Sequence, residues 1–281
     1  MNALILGLIA AFCWALHDIA IRNLSRTIPL LGALFVVLTT GMVFQGGLLL
    51  ATQTSPILTG PAIWYSLAAG VAFLTASIGL YYAFERGPVR LVSPIIGAYP
   101  VLSLTFAALG GTPVTVHQVA AVLMIVLAVG MVAIFSDHTD EHIPARGPTI
   151  ILSVISAVGF ASTFKLGQMA ALTGGEWQST FATRVTALAL LAMILWRFRP
   201  KFRIGRASTL ALITMGILDG MALLAVISAA GMARPEYAAV SSSMFGLFTI
   251  LLARLFLKEH MTTLQWAGCL LAFIGIGYLA L

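Results

Sequence analysis

Long apolar runs separated by short polar joints fill this chain. Ten such runs cover residues 3–21, 30–51, 62–84, 91–110, 117–135, 148–172, 179–196, 207–230, 237–256 and 262–280. Each can cross a hydrocarbon core of about 30 Å as a helix, which takes roughly 20 apolar residues. The runs are continuously apolar and do not alternate with period two, which excludes a transmembrane β-barrel. Backbone N–H and C=O groups in lipid must be paired within their own segment, so the runs read as helices. The expected fold class is all-α integral membrane with ten transmembrane helices. The first run opens at Ala3 with no basic stretch before it and no small-residue cleavage site after it, so it is expected to be a retained span and not a signal peptide.

The second half repeats the first. Sliding the chain on itself by 147 residues brings Pro88 onto Pro235, Gln118 onto Gln265 and Gly130 onto Gly277. Each copy carries five spans, and an odd number makes the second copy enter the membrane from the opposite face. The expected organisation is two inverted five-helix repeats, residues 1–136 and 148–281, joined by a linker at 137–147. Folds of this kind bind substrate near the midplane, where the two repeats meet.

Composition narrows the class further. Hydrophobic residues make up 60% and charged residues 9%, against about 25% charged in soluble domains, and mean hydropathy is +1.04. The net charge of +6 lies in the joints. That is the membrane-protein pattern, so nucleic-acid binding is not expected. Among the 15 lysines and arginines, all but Lys165, Arg184 and Arg234 fall in or beside the odd-numbered loops. Basic loops stay cytoplasmic, so both termini are expected outside, in a bacterial-type inner (plasma) membrane. Cys13 and Cys269 lie within apolar runs and read as packing residues.

Ionisable groups inside spans are functional candidates, because burying a charge is costly unless it is paired or wet. Asp18 falls on Lys165 under the 147-residue shift. The two are expected to flank a central cavity and meet a substrate's ammonium and carboxylate, although Asp18 could instead pair with Arg22 one turn on. His17 points about 100° away from Asp18 on a helix; it could relay protons or simply bond a neighbouring helix. Asp219 reads as a coupling site or as a structural acceptor for Arg184. Pro94, Gly97 and Pro100 interrupt the fourth span, and Ser243 and Gly246 lie in a matching weak stretch of the ninth. These positions are expected to be hinges or cavity lining. Trp14, Tyr82 and Tyr99 complete the candidate binding set, since tyrosine offers a flat apolar body with a hydroxyl.

The chain resembles the drug/metabolite transporter superfamily, EamA type. The residues that carry the resemblance are Trp14-Ala15-Leu16-His17-Asp18-Ile19-Ala20-Ile21-Arg22, Tyr82-Ala83 through Pro100, Arg184, and Leu257-Lys258-Glu259 followed by Gln265-Trp266-Ala267-Gly268 and Gly275-Ile276-Gly277. The first copy departs from the second, with Thr112 opposite Glu259 and Val37 opposite Arg184, and the basic cluster follows the seventh span instead of the second. The resemblance implies export of small metabolites such as amino acids, or of drugs, with the aromatic amino acid and paraquat exporters as the nearest branch. No Walker A pattern is present, and no His-Glu-x-x-His helix, paired-aspartate site or nucleophile with a base. The expectation is therefore a secondary transporter and not an enzyme, with a small-molecule substrate, no cofactor, no metal, and a monomeric or homodimeric state in the bilayer. Multidrug or cation efflux and lipid flipping are the alternatives.

Overall fold

The computed structural model describes residues 2–111, 113–134, 146–198, 204–258 and 261–279. The linker as far as residue 145, Thr112, Glu259, and the basic residues Arg199, Lys201 and Arg203 lie outside the described residues. The described elements are all helical: α1 (Asn2–Leu24), α2 (Leu30–Ala51), α3 (Pro61–Arg86), α4 (Val89–Ile96), α5 (Tyr99–Leu109), α6 (Val116–Ile134), α7 (Arg146–Gly174), α8 (Glu176–Phe198), α9 (Arg206–Ile227), α10 (Glu236–Ser242), α11 (Phe245–Leu252) and α12 (Thr263–Leu279). A π-helical turn, Ala253–Leu257, continues α11.

Among the described residues, seven segments are long and apolar enough to cross a membrane, counting Glu236–Phe256 as one, and three shorter apolar helices accompany them. Their outward faces carry large apolar side chains such as Phe12, Leu50, Leu123, Trp196 and Leu270, all exposed. Such a surface suits lipid and not water. The fourth and ninth predicted spans each differ from a single helix. Between α4 and α5, Pro100 has no N–H to offer the ladder and sits in the first turn of α5. Between α10 and α11 there is no proline. Instead the hydroxyls of Ser241, Ser242 and Ser243 donate to the carbonyls of Tyr237, Ala239 and Val240, which competes with the helix ladder. The break falls at Ser243–Met244, so Gly246, expected at the hinge, lies inside α11.

The two halves pack as counterparts. Helix α1 lies on α9 as α7 lies on α3; α2 meets α9 as α8 meets α3; and α6 pairs with α12. The glutamine landmarks have the same structural role in both copies. The Oε1 of Gln118 accepts from the N–H of Thr115 at 2.8 Å while the threonine hydroxyl accepts in return, and Gln265 with Thr262 repeats this at 2.9 Å. Both are reciprocal helix-start caps. Where the broken helices cross, a Cβ on Gly97 would lie 3.3 Å from the Ser243 carbonyl, and one on Gly246 would lie 2.9 Å from the Ser93 carbonyl. Only glycine lets these backbones approach so closely.

Gly7 makes a tighter contact still, because a Cβ there would collide with the Ser241 hydroxyl and the Ala238 carbonyl. Gly7→Ala is expected to push α1 off α10 and cost about 1–3 kcal/mol. Gly47→Ala, with open space around it, is the control. Thermal unfolding in detergent micelles checks the pair: equal melting temperatures would refute the contact.

Candidate functional site

At the centre, α1, α2, α3 and α5 of the first half and α7, α9 and α11 of the second enclose a cavity of about 20 Å³, room for about one water molecule. Trp14, His17, Asp18, Ser77, Tyr81, Tyr99 and Asp219 are its polar lining residues. Asp219 is fully engaged. Arg184 Nη1 donates to its Oδ2 at 2.7 Å, and the Trp14 indole N–H donates to its Oδ1 at 3.0 Å. Arg184 itself is 0% exposed, the largest fully buried side chain. Its guanidinium lies 5.0 Å over the Phe73 ring and fills the space left by Gly41. Taking such a charge out of water costs several kcal/mol, which only a close counter-ion returns.

A second polar chain runs beside the first. A hydrogen bond of 3.1 Å joins His17 Nδ1 to Asp18 Oδ1, and one of 3.2 Å joins His17 Nε2 to the Tyr81 hydroxyl. Neighbouring positions on a helix diverge by about 100° at the backbone, yet these two side chains turn toward each other. Arg22, the alternative partner that the sequence offered for Asp18, donates from its Nη1 to the Phe84 carbonyl. Asp18 is 1% exposed, and its Oδ2 has no hydrogen-bond partner among the described residues.

Aromatic rings wall the cavity on one side. Trp14 stacks on Phe164 at 5.4 Å, Phe164 meets Tyr99 edge-on at 5.3 Å, and Tyr99 stacks on Phe245 at 6.2 Å. The Tyr99 hydroxyl is tied to Ser242. Phe164 also forms part of a second, larger space of about 540 Å³, lined by Lys165, Gln168, Arg234 and Glu236 among others. This vestibule lies where the α5–α6 and α9–α10 joints come together. Arg234 and Glu236 form an ion pair of 3.3 Å there, and Gln168 donates to the carbonyls of Val226 and Pro235.

Several predicted positions therefore differ from expectation. Lys165 does not share the central cavity with Asp18; it lies in the vestibule, on the far side of Phe164. Tyr82 is half-buried and does not line the cavity, where Tyr81 takes its place. Ser243, Pro94, Gly97 and Gly246 line a separate small cavity beside α6 and α12, and it is Ser242 that reaches Tyr99. Pro100 starts α5 without reaching either cavity. Phe160, Phe164 and Phe245 were not singled out in the sequence, which favoured Tyr82 over the adjacent Tyr81. A helical stripe of small and hydroxyl residues on α3, Ser66, Gly70 and Ser77, shares a face with Tyr81 and was the available signal.

The arrangement offers a small polar cavity between two repeats, one aromatic layer from a larger polar vestibule. Comparison with known proteins agrees with this architecture. No curated protein matches the chain. A solved structure, described only as the crystal structure of a protein, superposes with a TM-score of 0.76 at 18% identity, over 98% of this chain and 95% of that one. The model of the EamA-like transporter family matches twice, over residues 1–134 and 147–281. The chain thus belongs to the EamA-like transporter family of the drug/metabolite transporter superfamily, as a multi-pass membrane protein.

Proposed function

We propose that this transporter exports small amphipathic metabolites, amino acids first, across the inner membrane by alternating access. The observation that carries the reading is the pair of spaces divided by Phe164: a central cavity with an acidic side chain, and a vestibule with Lys165 and Arg234. An amino acid presents an ammonium and a carboxylate, and it would meet these charges in sequence as it crosses. The central cavity is too small to hold it, so on this reading it must widen by relative movement of the halves. The breaks at Gly97–Ala98 and Ser243–Met244 give each half a place to bend.

By the charge bias of the loops, the vestibule opens outward and both termini lie outside. A reporter fused after Leu281 that is active only in the cytoplasm would refute this orientation. The functional test is efflux of labelled amino acids from proteoliposomes, with and without a pH gradient. Saturable efflux of a subset is expected, and Lys165→Ala is expected to abolish it while the protein remains in the membrane. Full efflux by that variant would remove Lys165 from the pathway. Efflux of organic cations is the second reading, favoured by the unpartnered Asp18 oxygen among aromatic rings.

A further inference from the structure

We propose that the vestibule is a binding site for one carboxylate group, anchored on Lys165, and that Glu236 holds it to one by keeping Arg234 engaged. This rests on the transporter reading and names the end of the substrate that the vestibule reads. The central cavity, at about 20 Å³, has room for little more than a water molecule, whereas the vestibule, at about 540 Å³, falls in the range of small-molecule sites. Phe164, Pro113 and Ala239 give it an apolar wall beside a charged one. A ligand with an apolar body and one charged end suits that division.

The charged wall has a single open position. Among the described residues that line the space, Lys165, Arg234 and Glu236 carry charge. Arg234 Nη1 donates to Glu236 Oε1 at 3.3 Å, and the guanidinium lies 5.6 Å over the Tyr237 ring. Both partners come from its own segment, so Arg234 is engaged before any ligand arrives. Lys165 is exposed in the vestibule and makes no ion pair or hydrogen bond among the described residues. Its ammonium has three donors and no counter-charge. Ser103 adds a hydroxyl whose oxygen is buried and has no partner among the described residues. Gln168 adds no donor, because its Nε2 already donates to the carbonyls of Val226 and Pro235. The polar lining groups left without a partner are therefore an ammonium and a hydroxyl, which together suit the two oxygens of one carboxylate. A ligand's amine meets Lys165 as a like charge and is repelled. A second carboxylate on the ligand would have to displace Glu236 from Arg234, and exchanging one carboxylate for another gains nothing.

The test is calorimetric titration of the purified protein at low ionic strength, where screening is weakest, with compounds that share a phenyl ring and differ in charge. Phenylalanine, 3-phenylpropanoate and phenylsuccinate are expected to bind with Kd values within about threefold of one another, since neither an amine nor a second carboxylate finds an open partner. 2-Phenylethylammonium is expected not to compete. Lys165→Met is expected to weaken 3-phenylpropanoate by about tenfold or more, as losing a hydrogen bond to a charged group does. Glu236→Gln is expected to release Arg234 and to make phenylsuccinate bind about tenfold more tightly than 3-phenylpropanoate. Binding of 2-phenylethylammonium as tight as that of 3-phenylpropanoate, or a tenfold preference for phenylsuccinate already present, overturns the proposal in the unaltered protein without recourse to a variant. Unchanged binding in Lys165→Met overturns it too. No carboxylate binding by protein that still exports labelled amino acids overturns this inference and leaves the transporter reading intact. Absence of both overturns both.

Discussion

Arg184→Ala is expected to destabilise the protein by about 3–5 kcal/mol, the cost of leaving one member of a buried ion pair without its partner. The geometry leaves little room for compensation. Arg184 is 0% exposed, and without it Asp219 would keep only the Trp14 N–H, at 3.0 Å. The reverse single change, Asp219→Asn, strands a guanidinium between Phe73 and Gly41 and is expected to cost a comparable amount. The double variant Arg184→Met with Asp219→Asn removes both charges, keeps an oxygen for Trp14 and fills the guanidinium's volume. It is expected to recover more than half of either single loss, because a buried ion pair is often no more stable than a neutral replacement of similar size. Thermal and denaturant unfolding of the four proteins in one detergent completes a double-mutant cycle. Additive losses, with the double variant worse than either single, would show that the pair contributes nothing as a pair.

This ion pair also shows what a membrane sequence discloses. A charge in the middle of an apolar run has few places to go, so Arg184 was one of two readings the sequence offered for Asp219, beside a coupling role, and the structure puts the two 2.7 Å apart. Gln118 and Gln265 stood out in the sequence only as landmarks of the repeat; their cap bonds to Thr115 and Thr262 are seen in the structure. Rotational phase was harder to read. Tyr81 and Tyr82 are adjacent in a run that is apolar all round, and neither lipid nor core marks its face by polarity. Only the small-residue stripe distinguishes them. Depth along the axis was hidden too. Asp18 and Lys165 are equivalent under the repeat, yet Phe164 divides their surroundings, and a ring that closes a wall looks in sequence like any other phenylalanine. The break at Ser243–Met244 was legible as a weak stretch, but its exact position depended on which serine hydroxyls turned back on their own helix.

Phe164 lines both spaces, so Phe164→Ala is expected to join them. Its ring contacts Trp14 at 5.4 Å, Tyr99 at 5.3 Å and Phe160 at 6.1 Å. Aromatic pairs contribute about 0.5–1.5 kcal/mol each, so losing three should favour opening by roughly 10- to 1,000-fold. The readout is chemical. Ser77 lines the central cavity and is buried, whereas Lys165 and Gln168 line the vestibule. In a background with Cys13→Ser and Cys269→Ser, a Ser77→Cys thiol should react slowly with a small charged thiosulfonate added on the vestibule side, and faster by that factor once Phe164 is alanine. Phe164→Leu, which keeps bulk but loses the ring contacts, should fall between. Labelling is run well below the melting temperature of each variant, because deleting a buried ring also costs several kcal/mol of packing. A thiol that reacts at the same rate in all three proteins would mean that Phe164 is not the barrier. The route from vestibule to cavity would then have to run through movement of the broken helices, at Gly97 and Ser243.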